Sequence, residues 1–324
     1  MERDKLKKAI IFDCDNTLWK GVIGEGEVVA NIDIFCDIIL LANHGVIVGL
    51  CSKNNEGDLA EVLKEYEPYI SVKRINWKDK ASNLKEIAEE LNIGLDSIVF
   101  VDDSAFEIEL VRSKLPDVLC IYPNELSSTV AKWFDLSGDF TKTQQYKANY
   151  LRKKGEEQFT NIDDYLASLD MVLTIKVNDF DQIPRISELT QKTNQFNLTT
   201  RRYTESDIKM FMTYDKVYSL SVRDNFGDSG LTGVCITSVY EIDVFLLSCR
   251  ILGRGIEYAF LDKIVECRVK RGLRYLCGEY IATPKNLQVA DFYAKAGFEL
   301  YEDNRYFIDV TKYKSKGASY FKYE

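Results

Sequence analysis

Ile10-Ile11-Phe12-Asp13-Cys14-Asp15-Asn16-Thr17-Leu18-Trp19 decides how the first part of this chain is read. The apolar run Ala9–Phe12 fits a short buried strand, and it stops at an aspartate. Asp13 and Asp15 stand two residues apart just past the strand, so both can face one pocket if the chain turns there. In such a pocket Asp13 can attack phosphorus and ligate a metal, and Asp15 can act as acid and base on the leaving group. A pair of carboxylates at this spacing is a weak sign alone.

Three further pieces follow in order. The strand pattern Val46–Leu50 delivers Cys51-Ser52-Lys53-Asn54-Asn55, where Ser52 can hold a phosphate oxygen beside backbone amides. Lys80 begins a helical pattern after Trp77-Lys78-Asp79 and can neutralise a phosphoryl group. The run Ile98–Val101 ends in Asp102-Asp103-Ser104, two more carboxylates of the hard oxygen type that Mg²⁺ prefers. With Val118–Tyr122, four apolar runs alternate with amphipathic stretches such as Leu84, Ile87, Ala88 and Leu91. That alternation predicts a parallel sheet with helices on both faces and ligands at the carboxyl ends of its strands.

This order of motifs resembles the haloacid dehalogenase (HAD) phosphatase superfamily over roughly residues 7–125. The resemblance implies Asp13 as nucleophile, Asp15 as general acid/base, Ser52 and Lys80 as phosphate ligands, and a Mg²⁺ site from Asp13, Asp15, Asp102 and Asp103. The spacings Thr17–Ser52, Ser52–Lys80 and Lys80–Asp102 are 35, 28 and 22 residues. None has room for an inserted folded cap, which needs about 40 residues or more. The site is expected to be open, for a macromolecular substrate or for roofing by the rest of the chain. Cys14, Lys53 and Lys78 read as neighbours, and Cys51 as a strand-end packing residue.

Residues 126–168 are polar and helical in pattern (Val130–Phe134, Tyr146–Lys154, Ile162–Leu169) and read as a connector. From 169 onward a second α/β unit is expected. Its strands fall at Met171–Val177, Val217–Arg223, Leu231–Val239, Ile242–Ser248, Tyr275–Tyr280 and Tyr306–Val310. Its helices fall at Ile256–Arg271 and Leu287–Ala296. Between a strand and a helix lies Cys249-Arg250-Ile251-Leu252-Gly253-Arg254-Gly255-Ile256. Glycines let amides approach a pyrophosphate, and a helix N-terminus favours its charge.

With Asn286 opening the short helix that carries Tyr293, and Gly297-Phe298 closing it, residues ~170–312 resemble the GNAT acyltransferase fold. The resemblance implies that Arg250, Gly253, Arg254, Gly255 and Asn286 hold the pyrophosphate of coenzyme A or of a carrier's phosphopantetheine. It implies that Tyr293 protonates a departing thiolate; a core aromatic is the alternative. Cys249, at the strand end beside Arg250 and Arg254, is either an acyl-carrying thiolate or a packed core residue. Cys36, Cys120, Cys235, Cys267 and Cys277 read as packing.

Longer strings resemble the FkbH-like proteins, in which a HAD-type domain (subfamily IIIC) is fused to a GNAT-like domain. They include Ile75–Lys80, Glu86–Ser104, Thr193-Asn194-Gln195-Phe196-Asn197-Leu198-Thr199-Thr200-Arg201-Arg202-Tyr203-Thr204, Ser248–Glu257 and Gly278–Thr283. Some members load a glyceryl unit from 1,3-bisphosphoglycerate onto an acyl carrier protein for polyketide biosynthesis. The fold implied is α/β: a capless HAD-type Rossmann-like parallel sheet (1–125), a helical connector (126–168) and a GNAT-like α/β domain (169–324). The function implied is a bifunctional Mg²⁺-dependent phosphatase and acyltransferase that takes a phosphorylated small acid and loads an acyl carrier protein thiol. A plain phosphatase whose second half shapes the substrate pocket is the alternative. The resemblance also makes Thr193–Thr204 a substrate-binding loop with Asn197, Thr199, Arg201 and Arg202 as contacts; a solvated loop bonded to itself is the alternative.

Composition narrows the classes. Of 324 residues, 42 are Lys or Arg and 51 are Asp or Glu, a net charge of −9, which disfavours a nucleic-acid binder. No run of about 18 apolar residues exists, and Ala9–Phe12 is too short for a signal-peptide core, so no membrane and a cytoplasmic site are expected. Eight Cys without a CxxC pair read as reduced thiols. The one histidine, His44, removes schemes that need two and makes a Ser-His-Asp triad improbable; it reads as a helix-end residue.

Overall fold

The computed structural model describes residues 6–324. The chain divides into two units, Met1–Gly155 and Glu156–Glu324.

In the first unit β1 (Ala9–Phe12) leads to a hairpin of β2 (Trp19–Lys20) and β3 (Val29–Ala30), then α1 (Ile32–Asn43) and β4 (Ile47–Ser52). There follow α2 (Ala60–Leu63), β5 (Val72–Ile75), α3 (Lys80–Leu91), β6 (Ile98–Val101), α4 (Ala105–Lys114), β7 (Leu119–Ile121), α5 (Leu126–Trp133) and α6 (Phe140–Glu156). The sheet runs β5-β4-β1-β6-β7 and every pairing is parallel. β1 is buried on both faces: Ile10 and Phe12 face one core with Phe35, Ile38 and Leu126, while Ala9 and Ile11 face another with Leu84, Ile87 and Ile108. Each such side chain stabilises the sheet by about 2 kcal/mol, which is why a short apolar run suffices here. β1 pairs with β4 on one side and β6 on the other, so the chain reverses direction across the sheet there, the point at which open α/β sheets place their ligands. The insertion after β1 is only the β2–β3 hairpin. The result is the expected α/β parallel sheet with no inserted folded cap. β5 escaped the sequence reading because Val72-Lys73-Arg74-Ile75 is an edge strand with a polar middle.

The stretch 126–168 is not one connector. Leu126, Val130 and Phe134 pack into the core of the first sheet, and Thr143 Oγ1 on α6 donates to Ala42 O at 2.7 Å. Tyr165 and Leu166 of α7 (Ile162–Ser168) belong instead to the core of the second unit. Polar composition concealed that each helix carries a narrow apolar stripe.

The second unit continues with β8 (Val172–Val177), α8 (Ile183–Lys192), β9 (Phe196–Asn197), α9 (Glu205–Tyr214), β10 (Lys216–Asp224), β11 (Gly227–Thr237) and β12 (Glu241–Leu247). It ends with α10 (Ile256–Lys270), β13 (Tyr275–Glu279), α11 (Phe292–Lys295), β14 (Glu299–Glu302), β15 (Arg305–Asp309) and β16 (Lys322–Tyr323). The strand order is β14-β15-β13-β12-β11-β10-β8-β16. α8 and α9 cover one face through Ile186, Leu189, Ile208 and Met212; α10 and α11 cover the other through Phe260, Ile264 and Phe292. This is a mixed α/β sheet covered on both faces.

β12 and β13 pair in parallel only at Glu241↔Cys277 and Ile242↔Gly278. Beyond that point the edge of β12 is taken by β9, with Leu246↔Asn197 and Leu247↔Phe196. Leu198 completes the filling: its N–H donates to Phe245 O at 3.1 Å and its carbonyl accepts from Ile281 N at 2.8 Å. The eight cysteines are all free, and Cys36, expected to pack, is exposed. No helix among the described residues is long and apolar enough to cross a membrane.

Candidate active site

Asp13 follows β1 and is held by its own N–H, which donates to Val101 O at 2.9 Å. Asp102 follows β6, and its Oδ1 accepts from Ser104 N at 2.9 Å. Lys80 is the first residue of α3 because Asp79 caps that helix, accepting from Ser82 N at 3.2 Å. The parallel sheet brings these three starts and ends together. Lys80 Nζ lies 2.7 Å from Asp13 Oδ1 and 2.6 Å from Asp102 Oδ2, with all three side chains buried. Burial raises the Asp13 carboxyl to about 6 against the pull of Lys80. Burial likewise raises Asp102. Burial pulls Lys80 down, but Asp13 and Asp102 outweigh it and hold the ammonium above its usual range.

Exposed Asp103 joins them: one carboxylate oxygen each from Asp13, Asp102 and Asp103 lies within 4.8 Å of the others. Three carboxylates against one ammonium leave a negative surplus made of hard oxygen donors. That donor set fits Mg²⁺.

Asp15 does not bring its carboxylate to this cluster. Its Oδ1 accepts from Trp19 Nε1 at 2.7 Å and from Ile23 N at 3.1 Å, and its Oδ2 accepts from Asn54 Nδ2 at 2.7 Å. Three donors draw the side chain away, which corrects its expected place as a carboxylate ligand of the metal. Ser52 ends β4, buried, with Asn54 Nδ2 at 3.4 Å from its Oγ. Trp19 and Asn54 were not singled out from the sequence. Asn54 stood in the quoted string after β4, but only the fold says which side chain it meets. Lys53 pairs with Glu107 at 2.6 Å, and Cys14 and Cys51 are buried thiols pushed up by burial, Cys51 to about 12.

In the second unit Gly253 and Gly255 take φ values of 78° and 71°, the left-handed region that glycine favours. Gly255 leads into α10 with no side-chain cap. Cys249 is exposed at the start of the loop, which excludes the packed alternative. Arg250 Nε donates to Ser248 Oγ at 3.2 Å. Arg254 donates to Asp224 Oδ2 at 3.3 Å and to Arg250 O at 2.8 Å, so both arginines brace the loop itself.

The remaining expected ligands are spent inside the unit. Asn286 is fully buried; its Nδ2 donates to Asn197 O and Ile281 O at 2.9 Å each, and its Oδ1 accepts from Thr283 N at 2.7 Å. It is a core tie rather than a pyrophosphate ligand. Tyr293 is 1% exposed, its hydroxyl has no hydrogen-bond partner, and burial pushes it well above its usual range. It is the core aromatic, not an accessible acid.

The loop expected to bind substrate is bonded to its own unit. Asn197 Oδ1 accepts from Thr200 N at 2.8 Å, and Thr199 Oγ1 donates to Asp243 O at 2.9 Å. Arg201 bridges Asp243 Oδ1 at 2.6 Å and Glu279 Oε2 at 2.7 Å. Arg202 donates to the Thr190 and Thr193 carbonyls and to Asn194 Oδ1. Asp243 is the extra residue of a bulge in β12, between the pairs Ile236↔Val244 and Thr237↔Ile242, and so it offers its groups sideways to this segment.

No protein-family profile and no curated protein matches the chain. Solved structures do. The N-terminal part of BF1531 from Bacteroides fragilis, containing a phosphatase domain complexed with Mg, is 32% identical, with 41% of this chain and 42% of that one covered and a TM-score of 0.37. This chain therefore spans less than half of that protein's length. The 3-deoxy-D-manno-octulosonate 8-phosphate phosphatase of Moraxella catarrhalis, solved with magnesium, phosphate and KDO, is 22% identical over 34% of this chain and 66% of that one, with a TM-score of 0.29. The ribosomal-protein-S18-alanine N-acetyltransferase of Escherichia coli is 13% identical over 45% of this chain and 97% of that one, with a TM-score of 0.34.

Proposed function

We propose that this chain is a Mg²⁺-dependent phosphohydrolase acting on a phosphorylated small acid. The observation that carries the reading is the meeting of Asp13, Asp102 and Asp103 within 4.8 Å, with Lys80 bridging the first two. An Asp13 oxygen attacks phosphorus, and the bond from phosphorus to the leaving oxygen breaks. That oxygen takes a proton from Asp15. Asp15 then takes a proton from the water that hydrolyses the aspartyl phosphate, which frees phosphate and restores both carboxyl groups. Ser52 and Lys80 hold the phosphoryl oxygens. Bound Mg²⁺ would be held by Asp13, Asp102 and Asp103 and would supply charge neutralisation at the phosphoryl group. Release of phosphate from an aryl phosphate with Mg²⁺, abolished in Asp13→Asn, tests this; wild-type rates in that variant refute it.

The finer reading couples this to acyl transfer, as in the FkbH-like proteins. Exposed Cys249 at the open Gly253/Gly255 turn favours it. The Cys249 thiolate attacks the carbonyl of a glyceryl-type acyl phosphate like that of 1,3-bisphosphoglycerate. A C–S bond forms, the C–O bond breaks, and phosphate leaves with the electron pair. The thiol of an acyl carrier protein's phosphopantetheine then takes the acyl group by exchange. Buried Tyr293 and Asn286 and the β9-filled edge of β12 favour instead the plain phosphatase. Incubation with acyl phosphate and holo carrier separates the two. A Cys249 adduct by intact-protein mass spectrometry, and loading lost in Cys249→Ala, support transfer; neither supports hydrolysis alone.

A further inference from the structure

The side chain that the proposed reaction uses as proton carrier is held by groups that no motif assigns. Trp19 is fully buried, and its backbone is fixed by pairing with Ala30 in the hairpin. From that position its indole N–H reaches Asp15 Oδ1 at 2.7 Å, and Ile23 N reaches the same oxygen at 3.1 Å. Those two bonds use both lone pairs of Oδ1. Asn54, 7% exposed, grips the other oxygen at 2.7 Å and leaves Oδ2 a single free lone pair. The same amide nitrogen stands 3.4 Å from Ser52 Oγ. One side chain thus spans the proton carrier and the phosphate ligand.

We propose that Trp19 and Asn54 are positioning residues that lock the Asp15 carboxylate, so that only Oδ2 exchanges a proton with the leaving group. The inference rests on the phosphohydrolase reading. A carboxylate on a free Cβ–Cγ bond samples many orientations, and proton transfer needs one. Bonds to both oxygens, from two sides, remove that freedom. The hairpin thereby has a use: it fixes the backbone of Trp19.

The test uses two substrates. p-Nitrophenolate departs without a proton, whereas the alkoxide of glycerol phosphate must be protonated. In Trp19→Phe, which keeps the ring and loses the donor, and in Asn54→Ala, the rapid-quench rate of phosphoryl transfer from glycerol phosphate to Asp13 is expected to fall about 10²-fold. That step is read by itself because the later water step, which also uses Asp15, is common to both substrates; the loss in it should be at least tenfold greater than on the aryl phosphate. The indole N–H resonance of Trp19, assigned by its absence from Trp19→Phe, should shift in Asp15→Asn. Equal losses on both substrates, no loss, or an unmoved resonance overturn the inference while the phosphohydrolase reading stands. Full activity of Asp13→Asn overturns that reading and this inference with it.

Discussion

Tyr293 lies directly against Gly278: a methyl group on Gly278 would fall 2.3 Å from Tyr293 Cζ and 2.4 Å from its hydroxyl oxygen. The ring cannot retreat, because Phe298, Tyr306 and Phe292 stand at centroid distances of 5.0, 5.3 and 5.6 Å. Gly278→Ala should therefore destabilise the protein by about 2–3 kcal/mol through overpacking, read from urea unfolding. An unchanged midpoint would show that the ring is free to move.

Tyr293→Phe is the complementary change. The hydroxyl it removes is buried without a partner, so folding gains or loses no more than about 1 kcal/mol. Any carrier loading should also be unaltered. A loss of loading with unchanged unfolding would return Tyr293 to an acid's role.

Magnesium binding should release protons in a pH-dependent way. Asp13 is raised to about 6, so at pH 6 roughly half a proton is bound there and must leave when a cation takes the carboxylate. At pH 8 the carboxylate is already ionised and the release vanishes. Affinity should rise between pH 5 and 8 accordingly. Calorimetry in two buffers of different ionisation enthalpy measures this directly, and a release that is the same at both pH values contradicts it.

Lys80→Met removes the ammonium that offsets two buried carboxylates. Breaking a buried pair from one side costs about 3 kcal/mol, so the metal-free variant should unfold at lower urea. Saturating Mg²⁺ should recover part of that loss while leaving turnover abolished. A variant whose stability ignores Mg²⁺ would speak against a cation among Asp13, Asp102 and Asp103.

Asn286→Ala should cost about 3 kcal/mol, because the backbone groups of Asn197, Ile281 and Thr283 lose a buried partner. The cost should be the same with and without coenzyme A. A thermal midpoint that falls only when coenzyme A is present would make Asn286 a ligand after all.

The cluster of Asp13, Lys80 and Asp102 was legible because each of its parts is a local signal. Asp13, Ser52 and Asp102 each sit where an apolar run ends, and Lys80 where a capped helix begins. Parallel strands bring all such ends to one edge, so order along the chain was enough to assemble Asp13, Lys80 and Asp102 in space. The glycine turn of the second unit was local in the same sense: Gly253 and Gly255 need only their own φ values.

What the tertiary structure alone decided is which distant side chains meet. Nothing near Asn54 indicates that its amide will reach Asp15, 39 residues away in sequence. Nothing in Thr193–Thr204 indicates that Phe196–Leu198 will pair with the edge of β12, or that Arg201 will close on Asp243 and Glu279. Asn286 and Tyr293 carry the residue types of a ligand and an acid, yet burial turns one into a tie and the other into packing. Periodicity, turns and caps are set by neighbours along the chain and can be read from it. Burial and hydrogen-bond partnership are set by neighbours through space, which only folding selects.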